Sequence, residues 1–424
     1  MQVARRWLEE RFKLKGLIDF LNAKTVPVHR YTAWYYCGNV LITSFFIQVI
    51  TGIALLFYYQ PTPGTAYESV RSIILDVPFG WLIRSIHSWS ANLMVAAAGV
   101  HLFSTFFLRA YRKPRELTWI TGTLMFFAVM GFGFSGYLLP WNELSYFATK
   151  VGTGIAGQTP LIGEFLKAFL RGGEDVGALT LTRFFAIHVV ILPTVLVVMA
   201  AIHLFLVQVH GMSVPEPFEK KEGDLETIKF FPDFILRDTA LICIQIAFVA
   251  ALAALFPWEL GKKADMMLAT PEGIRPEWFF LFMFKTFELI PAKIGLLEGE
   301  KLGIIFFIAA FSSILLIPFF DRDSGGRSGN RVLKWGGILV LCYIFVMTLW
   351  AVFPLSPVIP AQTDAPCVEE LQRDKAAKCI PELIVFVALA AALALGLKSK
   401  SDDLIKLRKE KYFRGPDEPS GGSS

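Results

Sequence analysis

Apolar residues fall into eight long runs, at roughly 34–58, 82–108, 117–139, 184–207, 239–256, 302–320, 335–354 and 380–397. An α-helix needs about 20 such residues to cross a bilayer, and most of these runs reach that length. The pattern predicts an all-α polytopic membrane protein of about eight transmembrane helices. Ahead of the first run, residues 1–33 alternate bulky apolar side chains (Trp7, Leu8, Phe12, Leu14) with Arg5, Arg6, Arg11, Lys13 and Lys15. A segment of that kind lies in the membrane interface. It has no apolar core of signal-peptide type, so no cleaved secretory signal is expected.

Composition agrees with the pattern. The 424 residues are 54% hydrophobic and only 18% charged, with a mean hydropathy of +0.52; soluble domains are about a quarter charged. The net charge of +5 does not point to nucleic acid, because the basic residues cluster at span ends. Their distribution sets orientation instead. Arg109, Arg112, Lys113 and Arg115 follow the second run, Arg322, Arg327, Arg331 and Lys334 the sixth, and Lys398 to Arg414 the eighth, whereas the loop after the first run offers only Arg71. With eight spans these basic segments share one side, the cytoplasmic or n side, with both termini. The opposite face is the p side. The Gly/Ser/Pro-rich close from Gly415 reads as disordered.

Four histidines stand on two of the spans. His87 and His101 are 14 residues apart, and His188 and His203 are 15 apart. At about 1.5 Å per residue each pair lies near one helix face, roughly 21–23 Å apart. One ion cannot be shared across that gap. Two sites stacked across the membrane can, each taking one imidazole from each helix: His87 with His188 toward the p side, His101 with His203 toward the n side. A planar macrocycle gripped axially suits this arrangement. Ionisable groups within a membrane are functional candidates by default; scattered polar residues are the plainer alternative. Gly38 and Gly52 on the first span, and Gly122 and Gly136 on the third, repeat the spacing of 14. They read as clearance for two rings, or as small-residue helix packing.

Two p-side segments are too long for ordinary connections. Residues 140–183 open on Pro140, Trp141 and Asn142 and contain an amphipathic piece from Leu161 to Leu170. Residues 257–301 hold Pro276, Glu277, Trp278 and Phe279 before the apolar Phe280 to Phe284. A carboxylate among aromatics at this depth has its pKa raised by desolvation, which suits a proton acceptor; a glutamate facing water is the alternative.

With these residues in hand, the chain resembles cytochrome b of the quinol-oxidising bc and b6f complexes nearly end to end. Its first half is similar to cytochrome b6 at Gly80-Trp81-Leu82-Ile83-Arg84-Ser85-Ile86-His87, at Lys113-Pro114-Arg115-Glu116-Leu117-Thr118-Trp119 and at Gly136-Tyr137-Leu138-Leu139-Pro140-Trp141. The 14 residues between His188 and His203 are the b6-type count. The second half resembles subunit IV, fused here into the same chain with an eighth span. The resemblance divides the chain into an n-side segment (1–33), a di-haem four-helix bundle (34–210), an n-side linker (211–238), a quinol-site domain with an extra helix (239–397) and a basic n-side tail (398–424).

The resemblance also implies roles. His87 and His188 would ligate a low-potential p-side haem b, and His101 and His203 a high-potential n-side haem b. Arg84 would face a haem propionate. Pro276-Glu277-Trp278-Phe279 matches a Pro-Glu-Trp-Tyr motif at the p-side quinol site, with Glu277 accepting a proton and the motif's tyrosine hydroxyl missing at Phe279. The segment from Gly136 through Pro140 and Trp141 would form the other wall. Arg237 and Asp238 resemble a basic–acidic pair at the n-side quinone; plain surface charge is the alternative. Gln208 replaces the family's histidine or arginine five residues after His203, and His210 lies nearby. In b6 proteins a cysteine near Cys37 binds a third haem, haem c, by one thioether. Aligned without gaps from Thr51-Gly52, Tyr36 takes that place and Cys37 falls one residue later, so a covalent haem and a plain thiol both stand open. Cys243 and Cys342 are expected to pack within their spans. Cys367 and Cys379 flank a short p-side stretch and are expected to pair if that side is periplasmic.

The activity expected is quinol oxidation at the p side with bifurcated electrons. One electron would leave for a Rieske iron–sulfur protein and a c-type cytochrome. The other would cross two haems b to n-side quinone, so that protons are moved in effect. The expected partners are these two proteins, lipid and a second copy of the complex, in a bacterial plasma membrane. A di-haem anchor for a dehydrogenase is a second reading, but it would not need Pro276 to Phe279. A transporter without haem is a third, and such a protein is colourless.

Overall fold

The computed structural model describes residues 7, 9–215, 226–271, 274–321 and 327–353. The predicted span at 380–397, the Cys367–Cys379 pair and the tail from 398 lie outside the described residues. Among the described residues seven helices are long and apolar enough to cross a membrane, and each covers one predicted run. The protein is an all-α, multi-pass membrane protein.

Helix α1 (Leu14–Ala23) leads into strand β1 (Thr25–Pro27), which pairs antiparallel with β2 (Thr227–Lys229), Val26 opposite Ile228. This clasp ties the N-terminal segment to the linker between the two halves. Three-residue strands carry too little periodicity to be read from sequence. After a 3-10 turn (Thr32–Tyr36) come α2 (Cys37–Leu56), α3 (Ala66–Leu75), α4 (Gly80–Phe107) and α5 (Glu116–Leu138). The joint between α3 and α4 needs Gly80, since a Cβ there would sit 2.0 Å from the Ile73 carbonyl oxygen.

The long segment after α5 is mostly helical. In α6 (Glu143–Gly157) the Asn142 side chain caps the first turn, accepting from the Ser145 N–H at 2.8 Å. The predicted amphipathic piece is α7 (Gly163–Arg171), with Phe165 and Phe169 stacked and turned outward. The fourth span is longer than its apolar run. It comprises α8 (Ala178–Ala186), a π-turn (Ile187–Ile191) and α9 (Leu192–His210), 33 residues in all. Pro193 explains the π-turn. A proline cannot donate to the carbonyl four residues back, and its ring collides with it. The widened turn avoids that clash, with the Leu192 N–H reaching back to Ile187 O. His188 sits inside this turn, as functional residues in π-bulges often do.

In the second half, α10 (Ile235–Leu255) is followed by a 3-10 turn (Trp278–Phe280), α11 (Leu281–Leu289), a hairpin of β3 (Lys293–Ile294) and β4 (Leu297–Glu298), α12 (Gly299–Phe320) and α13 (Arg327–Val352). Helices α2, α4, α5 and α9 form the main bundle. Helix α10 packs on α4 and α2, α12 on α5, and α13 on α11. Polar bonds join the halves inside the apolar mass. Gln245 Nε2 donates to Val40 O at 3.0 Å and Ser44 Oγ at 2.8 Å, and Trp119 Nε1 donates to Ile314 O at 2.9 Å. Beyond α12, Asp321 Oδ2 accepts from Arg109 Nη2 at 2.7 Å and Tyr111 Oη at 2.8 Å. Cys243 and Cys342, expected to pack inward, are exposed free thiols on the bundle's outer face. A run apolar all round does not reveal which face meets lipid.

Candidate functional site

The bundle brings the four histidines together in pairs at two levels. The His87 and His188 ring centres stand 6.5 Å apart at 67°, and His101 lies within electrostatic reach of His203. Metal–imidazole bonds are about 2 Å, so two rings gripping one metal from opposite sides stand roughly 6 Å apart centre to centre. The first pair meets that requirement. Among the described residues no three His, Cys, Asp or Glu side chains gather as a bare ion's ligand set would. Two imidazoles per level, without further ligands, fit a macrocycle that would supply its own ring nitrogens.

Each glycine lies against one histidine. A Cβ added at Gly136 would sit 2.5 Å from His188 Cε1, at Gly122 3.1 Å from His203 Cε1, at Gly52 3.4 Å from His87 Cε1 and at Gly38 3.9 Å from His101 Cε1. The clearance is therefore first of all for the imidazoles. Three rings are held at Nδ1 by hydroxyls: Thr51 on His87 at 2.8 Å, Thr121 on His203 at 3.0 Å and Ser135 on His188 at 3.0 Å. With Nδ1 so engaged, Nε2 is left for a metal. The sequence reading passed over these three residues, although each immediately precedes a glycine it had singled out. Gln48 was missed too; its Nε2 donates to His87 O at 2.7 Å.

A cavity of about 460 Å³ opens beside the first pair. His87, His188, Gly52, Gly136, Arg84, Pro140, Glu277 and Phe279 all line it, so this histidine pair and the Glu277 segment share one space. Glu277 faces it among apolar groups, and burial pushes its carboxyl up to about 7. Phe279 presses its ring tip on α5: a Cβ at Gly133 would meet Phe279 Cζ at 2.7 Å. A tyrosine's hydroxyl would hang from that same atom, and there is little room for it. Pro276 and Trp278 are not among the lining residues. The indole of Trp278 donates to Asn92 Oδ1 at 2.7 Å, and Asn92 Nδ2 to Ser88 O at 3.0 Å. Asn92, one turn beyond Ser88 on α4, thus ties the glutamate's segment to the helix of His87. Arg84 is 7% exposed and donates to the Trp258 carbonyl and, at 3.2 Å, to that of Glu259. Trp141 does not reach the cavity. It is 1% exposed, in a core cluster with Tyr146 and Phe147, and serves packing.

The other histidine pair adjoins a second group of polar residues. Tyr36 stacks on Phe234 with ring centres 4.7 Å apart, and its hydroxyl lies beside Arg237. Asn39 approaches Asp238. Yet Tyr36 Oη, Asn39 Nδ2 and Asp238 Oδ1 are buried without a well-formed hydrogen bond. Such groups mark a place that expects a polar occupant. Tyr36 and Asn39 were not singled out from sequence as site residues, although Arg237 and Asp238 were. Gln208 is bonded by Lys24, and Arg115 Nη2 donates to His210 O at 2.9 Å. Cys37 is a free thiol, 4% exposed.

Residues 21–211 match the family model described as Cytochrome b/b6/petB, and residues 263–363 that described as Cytochrome b(C-terminal)/b6/petD. The chain is 44% identical over 344 residues to a cytochrome bc complex cytochrome b subunit of Chlorobaculum thiosulfatiphilum, covering 81% of this chain and 79% of that one. It is 43% identical over 209 residues to cytochrome b6 of Porphyra purpurea, covering 49% of this chain and 97% of the relative. A solved structure titled Hyperthermophilic respiratory Complex III matches with a TM-score of 0.72 at 29% identity, over 90% of this chain and 97% of that one.

Proposed function

Because the chain belongs to the cytochrome b family, with a b6-type first half and a petD-type second half, we propose that it is the quinol-oxidising, membrane-crossing subunit of a quinol–cytochrome c reductase type complex. The observation that carries this is the pairing of four histidines at two levels, the first pair sharing its cavity with Glu277.

His87 with His188, and His101 with His203, would each hold one haem b through Nε2. When bound, the two haems supply one-electron centres leading from the quinol cavity to the opposite end of the bundle. Quinol oxidation releases two electrons and two protons. Glu277 takes one proton; as a carboxyl with a pKa near 7 it is ionised often enough to accept it and neutral often enough to pass it on. Phe279 and the apolar lining keep water from the reacting hydroxyl, and Asn92 fixes the motif through Trp278. One electron would enter the path of the four histidines, the other would leave for a Rieske iron–sulfur protein and then a c-type cytochrome, and the second proton would be released on the same side as the first. The group of Tyr36, Asn39, Arg237 and Asp238 offers donors and acceptors for a quinone's carbonyl oxygens at the far end.

The basic loop of Arg109, Arg112, Lys113 and Arg115 lies at that far end and makes it the n side, so quinol is oxidised on the p side. In this reading the complex is a homodimer in a bacterial plasma membrane. In this reading Cys37 remains a thiol, because Tyr36 takes the b6 cysteine's place in the ungapped alignment and stacks on Phe234 beside Arg237. The test is a pyridine-haemochrome spectrum with haem staining of a denaturing gel. Two non-covalent haems b per chain and an unstained band support the proposal. A stained band abolished by Cys37→Ser would replace the thiol with a third, covalent haem, and a colourless protein would sink the whole assignment.

A further inference from the structure

Three of the four histidines have a complete relay behind them. With Nε2 given to a metal, Nδ1 carries the proton and donates to a hydroxyl. The hydroxyl in turn donates to its own helix: Thr51 to Ile47 O at 2.6 Å, Thr121 to Leu117 O at 2.9 Å and Ser135 to Phe132 O at 3.4 Å. The carbonyls of Phe132 and Thr118 also reach His188 and His203 directly. In each case the hydroxyl residue is the one before the glycine on which the ring lies: Thr51-Gly52, Thr121-Gly122, Ser135-Gly136.

The fourth instance of this arrangement is Cys37-Gly38, of which Gly38 faces His101, and there the relay is missing. His101 Nδ1 is buried with no hydrogen-bond partner among the described residues. The residue before the glycine is a thiol, a weak acceptor. The backbone adds nothing in its place. Gly38 is only the second residue of α2, and the turn before it is 3-10, with its Trp34 carbonyl already taken by the Cys37 N–H.

A hydrogen bond from Nδ1 makes an imidazole a more basic ligand and pushes electron density onto its metal. That favours the oxidised metal; its loss favours the reduced one. We propose that Cys37 is a positioning residue that withholds a hydroxyl partner from His101 and so contributes to the higher potential that the resemblance implies for the redox centre at His101 and His203. The asymmetry lies at the receiving end of the path, where it draws electrons away from the Glu277 cavity. The inference rests on the two-haem reading above.

The test is a spectroelectrochemical titration of both haems in the purified complex, for the parent and for Cys37→Ser, Cys37→Thr and Cys37→Ala, with haem content measured on each. Serine and threonine restore the relay. They are expected to raise the oxidised-to-reduced ratio of the His101/His203 haem at fixed ambient potential by about three- to tenfold, tenfold being about 59 mV for one electron. The other haem stays where it was, and Cys37→Ala matches the parent. Thr121→Val poses the question in reverse and should move the same haem upward, which keeps the test decisive if a Cys37 variant does not assemble. Unchanged potentials in Cys37→Ser, or an equal shift in Cys37→Ala, overturn the inference. So does a covalent haem lost in Cys37→Ala, because the thiol would then be a thioether. Haem content other than two b per chain in the parent would count against the two-haem reading instead.

Discussion

Alanine at the four bundle glycines should not do equal harm, and the order can be worked out beforehand. An ordinary Cβ contact begins near 3.4 Å, and distances under 3.0 Å are essentially never tolerated. At Gly136 the new methyl would meet His188 Cε1 at 2.5 Å, so the ring must retreat by roughly 1 Å. That is half of an about 2 Å metal–imidazole bond, and relief by backbone shifts costs about 1–3 kcal/mol. At Gly122 the shortfall is a few tenths of an ångström, at Gly52 it vanishes, and at Gly38 the contact is a loose 3.9 Å. Helix propensity works the other way, favouring alanine by about 1 kcal/mol at every one of these positions. The expected order of haem loss is Gly136→Ala, then Gly122→Ala, with Gly52→Ala and Gly38→Ala retaining both haems. Haem content per chain and a potentiometric titration resolving the two haems read this directly. If Gly38→Ala empties its site as fully as Gly136→Ala, the glycines are clearing a macrocycle edge rather than an imidazole, and the distance ranking is wrong.

Glu277→Gln should lower quinol oxidation roughly a hundredfold, the lower end of what a general base supplies, because the apolar lining leaves little water to take the proton; more telling, the parent's rise in rate through about pH 7 should disappear, and its persistence would assign the inflection elsewhere. The same carboxyl affects stability with the opposite sign from a salt-bridged one. Its folded pKa lies above the unfolded value, so across the window from about 4.5 to about 7 the unfolded chain sheds a proton the folded chain keeps, and stability falls as pH rises; Glu277→Gln should flatten that fall in unfolding curves taken at several pH values. Asn92→Leu removes the acceptor of the Trp278 indole, with an expected cost of about 1–3 kcal/mol and a raised KM for quinol, and an unchanged KM would detach Asn92 from the cavity. Asp321→Ala leaves Arg109 and Tyr111 without their shared acceptor at a site where the carboxylate is 3% exposed and the guanidinium 15%; about 3 kcal/mol of destabilisation is expected, and a loss below about 1 kcal/mol would class the pair with ordinary surface bridges.

The seven described spans and the histidine pairs were legible because their signals are long. Twenty apolar residues in a row, or two histidines at the same helical phase, leave few alternative arrangements. The residues that finish the site were not legible, for a physical reason: they act through single contacts between distant elements. Asn92 meets Trp278 across 186 positions, and no local period encodes that. Thr51, Thr121 and Ser135 were within reach, since they share the glycines' spacing of 14, but a hydroxyl in a lipid-buried helix ordinarily bonds its own carbonyl and draws no attention. These three do that and also accept from an imidazole. Phe279 is the reverse case. Sequence marks it as the loss of a hydroxyl, whereas the structure shows a ring tip sealed against Gly133, so the substitution and the neighbouring glycine form one packing solution. The π-turn holding His188 belongs to the same class. Pro193 announces a fault in the helix, but only the fold shows that the fault is taken up one turn earlier, at the turn that carries His188. What remains unreadable from local pattern in this chain is therefore the second layer of contacts, which orients a first layer that periodicity already exposes.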